Sequence, residues 1–243
     1  MNIEADFSKR VAVHAARLPW VPSPMNGVDR RMLDRVGDEV ARATSIVRYA
    51  PHSHVSPHTH GGGEEFLVLE GVFQDEHGDF PAGSYVRNPP TSRHTPGSAS
   101  GCVIFVKLWQ FDPGDRTQVR FGTTAMVFTP SPARPGVELI PLFRDDREDV
   151  RLERWQANGA IALDASGGAE LLVLEGGFED GEDRLDPYSW LRLPPGSALR
   201  AKAGPEGCKA WIKTGHLLRM RHDGELDNSR DFVMAQPMHK TPN

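Results

Sequence analysis

Residues 58–71 read HTHGGGEEFLVLEG, and the last six of these letters, FLVLEG, return 105 positions later with one change as LLVLEG at residues 171–176. Four further blocks repeat in the same order, and five ordered matches predict an internal duplication. The two units cover roughly residues 20–112 and 128–217. The further blocks are WVPSP at 20–24 with FTPSP at 128–132, Gly27–Val28 with Gly136–Val137, RNPPTS at 87–92 with RLPPGS at 192–197, and Gly101–Cys102 with Gly207–Cys208.

Both units carry the pattern of many short antiparallel strands. Short apolar runs, such as Phe66–Leu69, Val103–Leu108 and Leu171–Leu174, are bounded by turn-forming residues. Glycine and proline make up about 18% of the 243 residues, against about 12% in an average protein, which favours turns over long helices. We therefore predict an all-β protein of two tandem jelly-roll barrels. Residues 30–42 are compatible with a short helix, although their apolar periodicity is poor.

The duplication also predicts the domains. We expect an N-terminal barrel with a preceding arm over residues 1–115, a C-terminal barrel over 116–222, and a polar tail over 223–243. Each barrel then has the size of an ordinary small domain. The tail has no apolar period and is expected to lie on the surface or to be disordered.

Composition and charge exclude several classes of function. A formal net charge of −5 offers no basic field for nucleic acid and no reason to expect a membrane surface. The first ten residues lack the apolar run of a secretory signal, and no stretch approaches the ~18 apolar residues of a membrane span, so we expect a cytoplasmic protein. Cys102 and Cys208 hold the same place in the two units, which favours two separate core residues over a disulfide or a metal pair.

The first unit contains a candidate metal site. His58 and His60 are two residues apart, so on a strand their side chains point to the same face. Three glycines follow and allow a tight turn, which can return Glu64 to the same point. His94 supplies a third imidazole. Three imidazoles and one carboxylate suit Zn, Fe, Mn, Ni or Cu rather than Ca or Mg.

The second unit serves as an internal control for this site. Counted back from LLVLEG without a gap, the four positions hold only apolar residues, whereas Glu65 persists as Glu170 and is therefore interpreted as structural. A gap of one residue would instead place Asp164 and Ser166 opposite the two histidines. Polar residues that are all replaced in the second unit are expected to form one site in the first. The equivalents of His58, His60, Glu64 and His94 are Leu163, Ala165, Ala169 and Leu199.

The first unit resembles the cupin superfamily. Its first motif is His-x-His, three residues, Glu, six residues and Gly, and here it runs from His58 through Glu64 to Gly71; the second motif supplies His94. More narrowly, residues 58–90 are similar to the cupin domain of ChrR-type anti-sigma factors. The resemblance implies a bicupin with one metal, which is zinc in the anti-sigma factor, and a degenerate second barrel. It also implies kinship with dioxygenases that cleave diketones and hydroxylated aromatic ketones.

Two functions follow as hypotheses. The first is a dioxygenase-like enzyme that acts on a small oxygenated molecule such as a diketone or an enol, with zinc or iron favoured over manganese or nickel and no catalytic residue assigned. The alternative is an anti-sigma or sensor-type regulator without catalysis. The chain lacks the His-x3-Cys-x2-Cys motif with which ChrR-type regulators hold a sigma factor, so we do not expect that partner. A small-molecule substrate and a homodimer remain open.

A few further side chains have competing interpretations. Arg87 and Lys107 recur as Arg192 and Lys213, which favours structural ion pairs or turn contacts over substrate binding. His52 and His54 form a second His-x-His pair. They are interpreted as part of a loop above the barrel mouth, or alternatively as supporting or proton-transfer groups.

Overall fold

The computed structural model describes residues 1–38, 40–181 and 183–218. The predicted tail at 223–243 lies outside these residues. Within them the chain is built of strands, with a single 3-10 turn at Ala15–Arg17, and no helix is long and apolar enough to cross a membrane. The strands of the first half are β1 (Asn2–Ile3), β2 (Val11–His14), β3 (Val21–Pro22), β4 (Val28–Gly37), β5 (Ala41–Tyr49), β6 (Ser53–His54), β7 (His58–Thr59), β8 (Glu64–Asp75), β9 (Gly78–Pro81), β10 (Ser84–Asn88), β11 (Arg93–His94), β12 (Gly97–Ser98), β13 (Cys102–Leu108) and β14 (Val119–Gly122).

The second half repeats the plan of the first. The main strand order is β1-β4-β5-β13-β8-β10-β14 in one sheet and β15-β16-β17-β22-β19-β21-β2 in the other, and all pairs are antiparallel. From β4 and β16 onward the two orders are equivalent position by position, as the duplication predicts, and β15 pairs with β16 as β3 pairs with β4. The strands of the second half are β15 (Thr129–Pro130), β16 (Val137–Arg144), β17 (Asp149–Trp155), β18 (Ala160–Ala165), β19 (Ala169–Glu179), β20 (Arg184–Leu185), β21 (Ser189–Leu193) and β22 (Ser197–Thr214).

The helix considered for residues 30–42 is wrong, because residues 30–37 belong to β4 and residues 41–42 to β5. Gly37, the last residue of β4, has φ +105°, a conformation that residues with side chains rarely adopt. The strand lacks a clear apolar alternation because neither of its faces is ordinary surface. One face lines a cavity, and the other packs against the second barrel.

The two halves exchange their first strands. β2 precedes the first unit but pairs with β21 of the second, with Val11 opposite Arg192. β14 precedes the second unit but pairs with β10 of the first, with Val119 opposite Arg87. Each barrel is therefore completed by a strand that the sequence assigns to the other, and the predicted boundaries at 1–115 and 116–222 stay predictions.

The charged residues that recur in both units cross the interface between the barrels. Lys107 donates a hydrogen bond to Glu170, and Lys213 donates one to Glu65 at 2.7 Å. The two lysines and two glutamates are at most 2% exposed. Because the residues are equivalent in the two units, these are the same ion pair formed twice across an approximate two-fold axis.

The recurring arginines also cross the interface. Arg87 contacts Glu148 at 2.7 Å, and Arg192 contacts Asp34 at 3.0 Å. Around these pairs, apolar side chains of both sheets form one shared cluster that includes Phe105 and Trp211, whose rings lie 5.0 Å apart. The interface thus has an apolar core, and each of these buried charged side chains contacts a side chain of opposite charge.

Each barrel also has a separate interior cluster of its own. Cys102 lies in that of the first barrel and Cys208 in that of the second, and both are free and buried. Their prediction as separate core residues is confirmed.

Candidate metal centre

Three strands bring the four predicted site residues together. His58 on β7 lies directly opposite His94 on β11 in a two-stranded ladder. His60 lies two residues further along, and its backbone N–H donates to Ser92 O at 2.9 Å. Glu64 is the first residue of β8. The ladder therefore sets the three imidazoles on one side of the strand pair, and β8 returns the carboxylate to them.

The glycine run makes the turn into β8. Gly63 has φ +78°, and a Cβ there would lie 2.4 Å from the Phe111 ring. A Cβ on Gly62 would lie equally close to the Trp109 ring. The run therefore lets two aromatic residues that follow β13 pack directly on the turn, which fixes the direction in which Glu64 enters the barrel.

The three imidazoles converge on one point, and Glu64 lies beside two of them. The ring centroids of His58, His60 and His94 lie 4.7–5.0 Å apart, and one nitrogen of each lies within 4.8 Å of the other two. Glu64 Oε2 is 3.5 Å from His60 Nε2 and 3.4 Å from His94 Nε2. Two donors, each about 2.1 Å from one tetrahedral ion, are themselves about 3.4 Å apart, so these separations fit ligands of a common metal.

The hydrogen bonds of the histidines also fit a metal. The Nε2 atoms of His60 and His94 are buried and have no hydrogen-bond partner among the described residues. His58 Nδ1 lies 3.1 Å from Ser56 O, and His94 Nδ1 lies 3.2 Å from Asp75 Oδ2. These acceptors place the ring proton on Nδ1 and leave Nε2 free to bind an ion. Buried nitrogens without partners are costly unless something binds them.

Two supporting residues were missed by the sequence reasoning. Asp75, whose side chain is fully buried, orients His94, and Asn88 donates to Glu64 Oε2 at 3.2 Å. The sequence contained an indication of each of these two residues. Asp75 is two residues after the buried Phe73 and so shares its inward face, and Asn88 is replaced by Leu193 in the unit without the site.

Burial and neighbouring charges shift the pKa values in the site. Burial lowers the pKa of His60, and this outweighs the opposing charge of Glu64. Burial also acts to lower the pKa of His94, but its hydrogen bond to Asp75 and the charge of Glu64 prevail and raise it. For Asp75 burial acts to raise the pKa, and the hydrogen bonds from His94 and from the His77 N–H lower it.

The second barrel has an apolar core at the equivalent position. Leu163 lies opposite Leu199, as His58 lies opposite His94. This register supports the ungapped alignment and rules out the alternative with Asp164 and Ser166. The four equivalents, Leu163, Ala165, Ala169 and Leu199, are at most 4% exposed and belong to one apolar cluster.

A cavity of about 540 Å³ in the first barrel reaches His58, His60 and Glu64. Tyr49 lies on its wall, and in the described part of the chain its hydroxyl has no hydrogen-bond partner. Burial raises the pKa of Tyr49, as does the charge of the nearby Glu64. The remaining wall is largely apolar, with Met32, Ala43, Val47, Ile104, Val106 and Leu108 among its residues.

Other residues considered from the sequence lie elsewhere. Glu65 points to the interface, where it accepts hydrogen bonds from Lys213 and from the Tyr85 hydroxyl. His52 and His54 are exposed in and beside a turn, and neither belongs to the histidine cluster. The neighbouring glutamates therefore have separate surroundings, with Glu64 beside the imidazoles and Glu65 between the barrels.

Comparison with known proteins agrees with the architecture. Residues 8–112 match the ChrR cupin-like domain family, whereas no curated protein sequence matches the chain. A proposed dioxygenase from Nostoc punctiforme has a TM-score of 0.72 and 13% identity, over 88% of this chain and 86% of its own. A cupin 2 conserved barrel domain protein from Leptotrichia buccalis has a TM-score of 0.56 and 12% identity, over 84% and 96%.

A third similar structure contains a metal. The bacterial pirin YhhW from Escherichia coli, in complex with nickel(II), has a TM-score of 0.58 and 16% identity, over 84% of this chain and 98% of its own. At such identities these similarities show the fold alone. The prediction of two tandem cupin barrels is confirmed.

Proposed function

We propose that this two-barrel cupin, whose residues 8–112 match the ChrR cupin-like domain family, is a metal-dependent enzyme of the dioxygenase type. Its substrate would be a small oxygenated molecule such as a diketone or an enol. The observation that carries the proposal is the pair of buried, unpartnered Nε2 atoms of His60 and His94, set beside a carboxylate and an open cavity. His58, His60, Glu64 and His94 would hold one divalent transition-metal ion, with zinc and iron favoured over manganese and nickel.

The residues around the site orient the candidate ligands and exclude water from the cavity. Ser56 O and Asp75 hold two imidazoles in one tautomer, and Asn88 holds the carboxylate. The apolar wall of the cavity excludes bulk water, which strengthens every polar interaction inside it. The Tyr49 hydroxyl is free to donate a hydrogen bond to a ligand oxygen. A bound divalent ion would supply Lewis-acid polarisation of an oxygen donor.

The alternative is a metal-dependent regulator of the anti-sigma or sensor type. Such a role needs only a closed, four-coordinate metal site. The cavity that reaches three of the four candidate ligands favours an open site with room for a substrate. We therefore place the enzyme first.

Metal analysis followed by an oxygen-uptake assay tests the proposal. Protein purified from cells and protein reloaded with Fe²⁺, Zn²⁺, Mn²⁺ or Ni²⁺ should each hold about one ion per chain. At least one loaded form should consume oxygen with a panel of β-diketones and hydroxyaryl ketones. His58→Ala should remove most of the metal and the oxygen uptake, and His77→Ala, which removes an exposed histidine outside the cluster, should change neither. Tightly bound zinc with no turnover of any panel member would favour the regulator.

A further inference from the structure

The cavity of the first barrel has two guanidinium groups on a largely apolar wall. Besides the candidate metal ligands, the cationic side chains that line it in the described part of the chain are Arg30 and Arg35. Both belong to β4, and burial lowers the pKa of Arg35, as does the charge of Arg30 nearby. Two guanidinium groups that share one cavity form a potential site for an anion.

The local geometry of β4 turns both arginines inward. Val28, Arg30 and Met32 alternate onto the cavity face, as the period of a strand requires. A bulge between Met32 and Asp34 then shifts the alternation by one residue. As a result Arg35 faces the cavity, while Asp34 faces the interface.

Neither arginine is neutralised by a carboxylate at contact distance among the described residues. Arg30 Nε is buried and has no hydrogen-bond partner. Arg35 donates to the main-chain oxygen of Asp38. The Asp38 carboxylate lies on the same rim, but it is 90% exposed and accepts a hydrogen bond from the amino group of Met1. The two guanidinium groups thus keep donors available to a ligand.

The second barrel again provides a comparison. By register, Leu139 takes the place of Arg30, since Leu139 lies opposite Glu153 as Arg30 lies opposite Val47. Arg144 takes the place of Arg35, but it is 80% exposed and paired with Asp149 at 3.7 Å. The inward, unneutralised pair of arginines therefore occurs in the barrel that has the histidine cluster.

We propose that the first barrel takes a small carboxylate with an apolar body. The carboxylate binds Arg30 and Arg35, the apolar body lies along the wall of β5 and β13, and an oxygen donor at the other end faces the histidine cluster. A cavity of about 540 Å³ is of the size that holds a small organic ligand. The inference rests on the proposed function, because it places the reacting end of the ligand at the metal.

Two probes that differ only in charge test the inference. The full chain is loaded with Ni²⁺ under nitrogen and titrated by calorimetry with 3-(3,4-dihydroxyphenyl)propanoate and with its primary amide. Both carry a catechol head that chelates transition metals. At neutral pH the acid should bind about tenfold more tightly than the amide. 4-Methylcatechol, which has the head alone, reports the metal site independently.

Matched variants locate the effect. Arg30→Gln and Arg35→Gln should each reduce the preference for the acid to about twofold or less and leave the binding of 4-methylcatechol and the nickel content unchanged. Arg31→Gln removes the same charge from the opposite face of β4, where Arg31 lies over the Trp20 ring, and should keep the tenfold preference. His58→Ala should abolish the binding of all three probes.

The outcomes separate the two proposals. If 4-methylcatechol binds but the acid and the amide bind equally, or if the preference survives in both Arg30→Gln and Arg35→Gln, the carboxylate site is refuted and the metal site stands. If the protein holds no nickel and 4-methylcatechol does not bind, the proposed function fails, and the carboxylate site that rests on it fails with it.

Discussion

Substitution of the adjacent glutamates Glu64 and Glu65 separates metal binding from fold stability within one dipeptide. Glu65 is 2% exposed and accepts hydrogen bonds from Lys213 at 2.7 Å and from Tyr85 at 2.5 Å. Glu64 lies beside the histidine cluster instead. Glu65→Gln should therefore destabilise the interface between the barrels, and Glu64→Gln should weaken metal binding.

The expected magnitudes follow from the contacts. Removing one partner of a buried ion pair costs about 3–5 kcal/mol. Lys213 keeps Glu148 at 2.8 Å, so we expect the lower end for Glu65→Gln, about 3 kcal/mol. For a chain of this size such a loss lowers the unfolding temperature by about 6–12 °C. Supporting residues of metal sites contribute about 10–100-fold in affinity, so Glu64→Gln, which removes a ligand, should exceed that range.

Thermal unfolding in EDTA and competitive metal titration measure the two effects. Glu65→Gln should melt early without metal and, at low temperature, bind metal with nearly wild-type affinity. Glu64→Gln should melt within about 3 °C of the wild type in EDTA and bind metal poorly. The reverse result, with Glu65→Gln deficient in metal and normally stable, would refute the division between ligand and interface.

Three other predictions follow from the same structure. The purified protein should contain about one transition metal per chain, and His58→Ala should lose most of it; two ions per chain would contradict an apolar second barrel. Asn88→Leu, which introduces the residue found at Leu193, should lower the metal affinity about 10–100-fold in a titration, and an unchanged affinity would exclude Asn88 as a support of Glu64. Burial acts to raise the pKa of Glu148, but the charges of Lys213 and Arg87 lower it from 4.5 to about 2, so its stabilising contribution is complete at neutral pH and disappears as the pH falls from about 5 to 2. Between these values the unfolding temperature of Glu148→Gln should fall less steeply than that of the wild type, and parallel curves would contradict this assignment.

The sequence was sufficient for the fold because duplication and strand pattern point to the same architecture. It also selected four residues that the structure places together, although their binding of a metal stays a prediction. The selection succeeded because the second unit replaces all four with apolar side chains, which the structure places in one packed core. This comparison between the two units could not identify Asp75, because the equivalent residue in the second unit is also an aspartate, Asp180.

The interface was harder to foresee, although its residues were visible. Arg87 and Lys107 recur in the second unit and were interpreted as structural, but a recurring charge does not reveal whether its partner lies in the same barrel. The structure shows that Lys107 pairs with Glu170, and Arg87 with Glu148, across the interface. Burial of complete ion pairs between two sheets depends on how those sheets pack, which no local pattern encodes.

The strand exchange has a consequence for how the two halves can change. In a symmetric dimer of identical chains, every substitution at a metal ligand would alter both sites at once. Here β2 and β14 link two similar barrels, as exchanged strands would in such a dimer, but the two barrels differ in sequence. Polar residues in the interior of one barrel can therefore be replaced by apolar ones, while the other barrel keeps a cavity and a cluster of imidazoles. Removal of β2 would first expose the edge of β21, in the barrel that lacks the site.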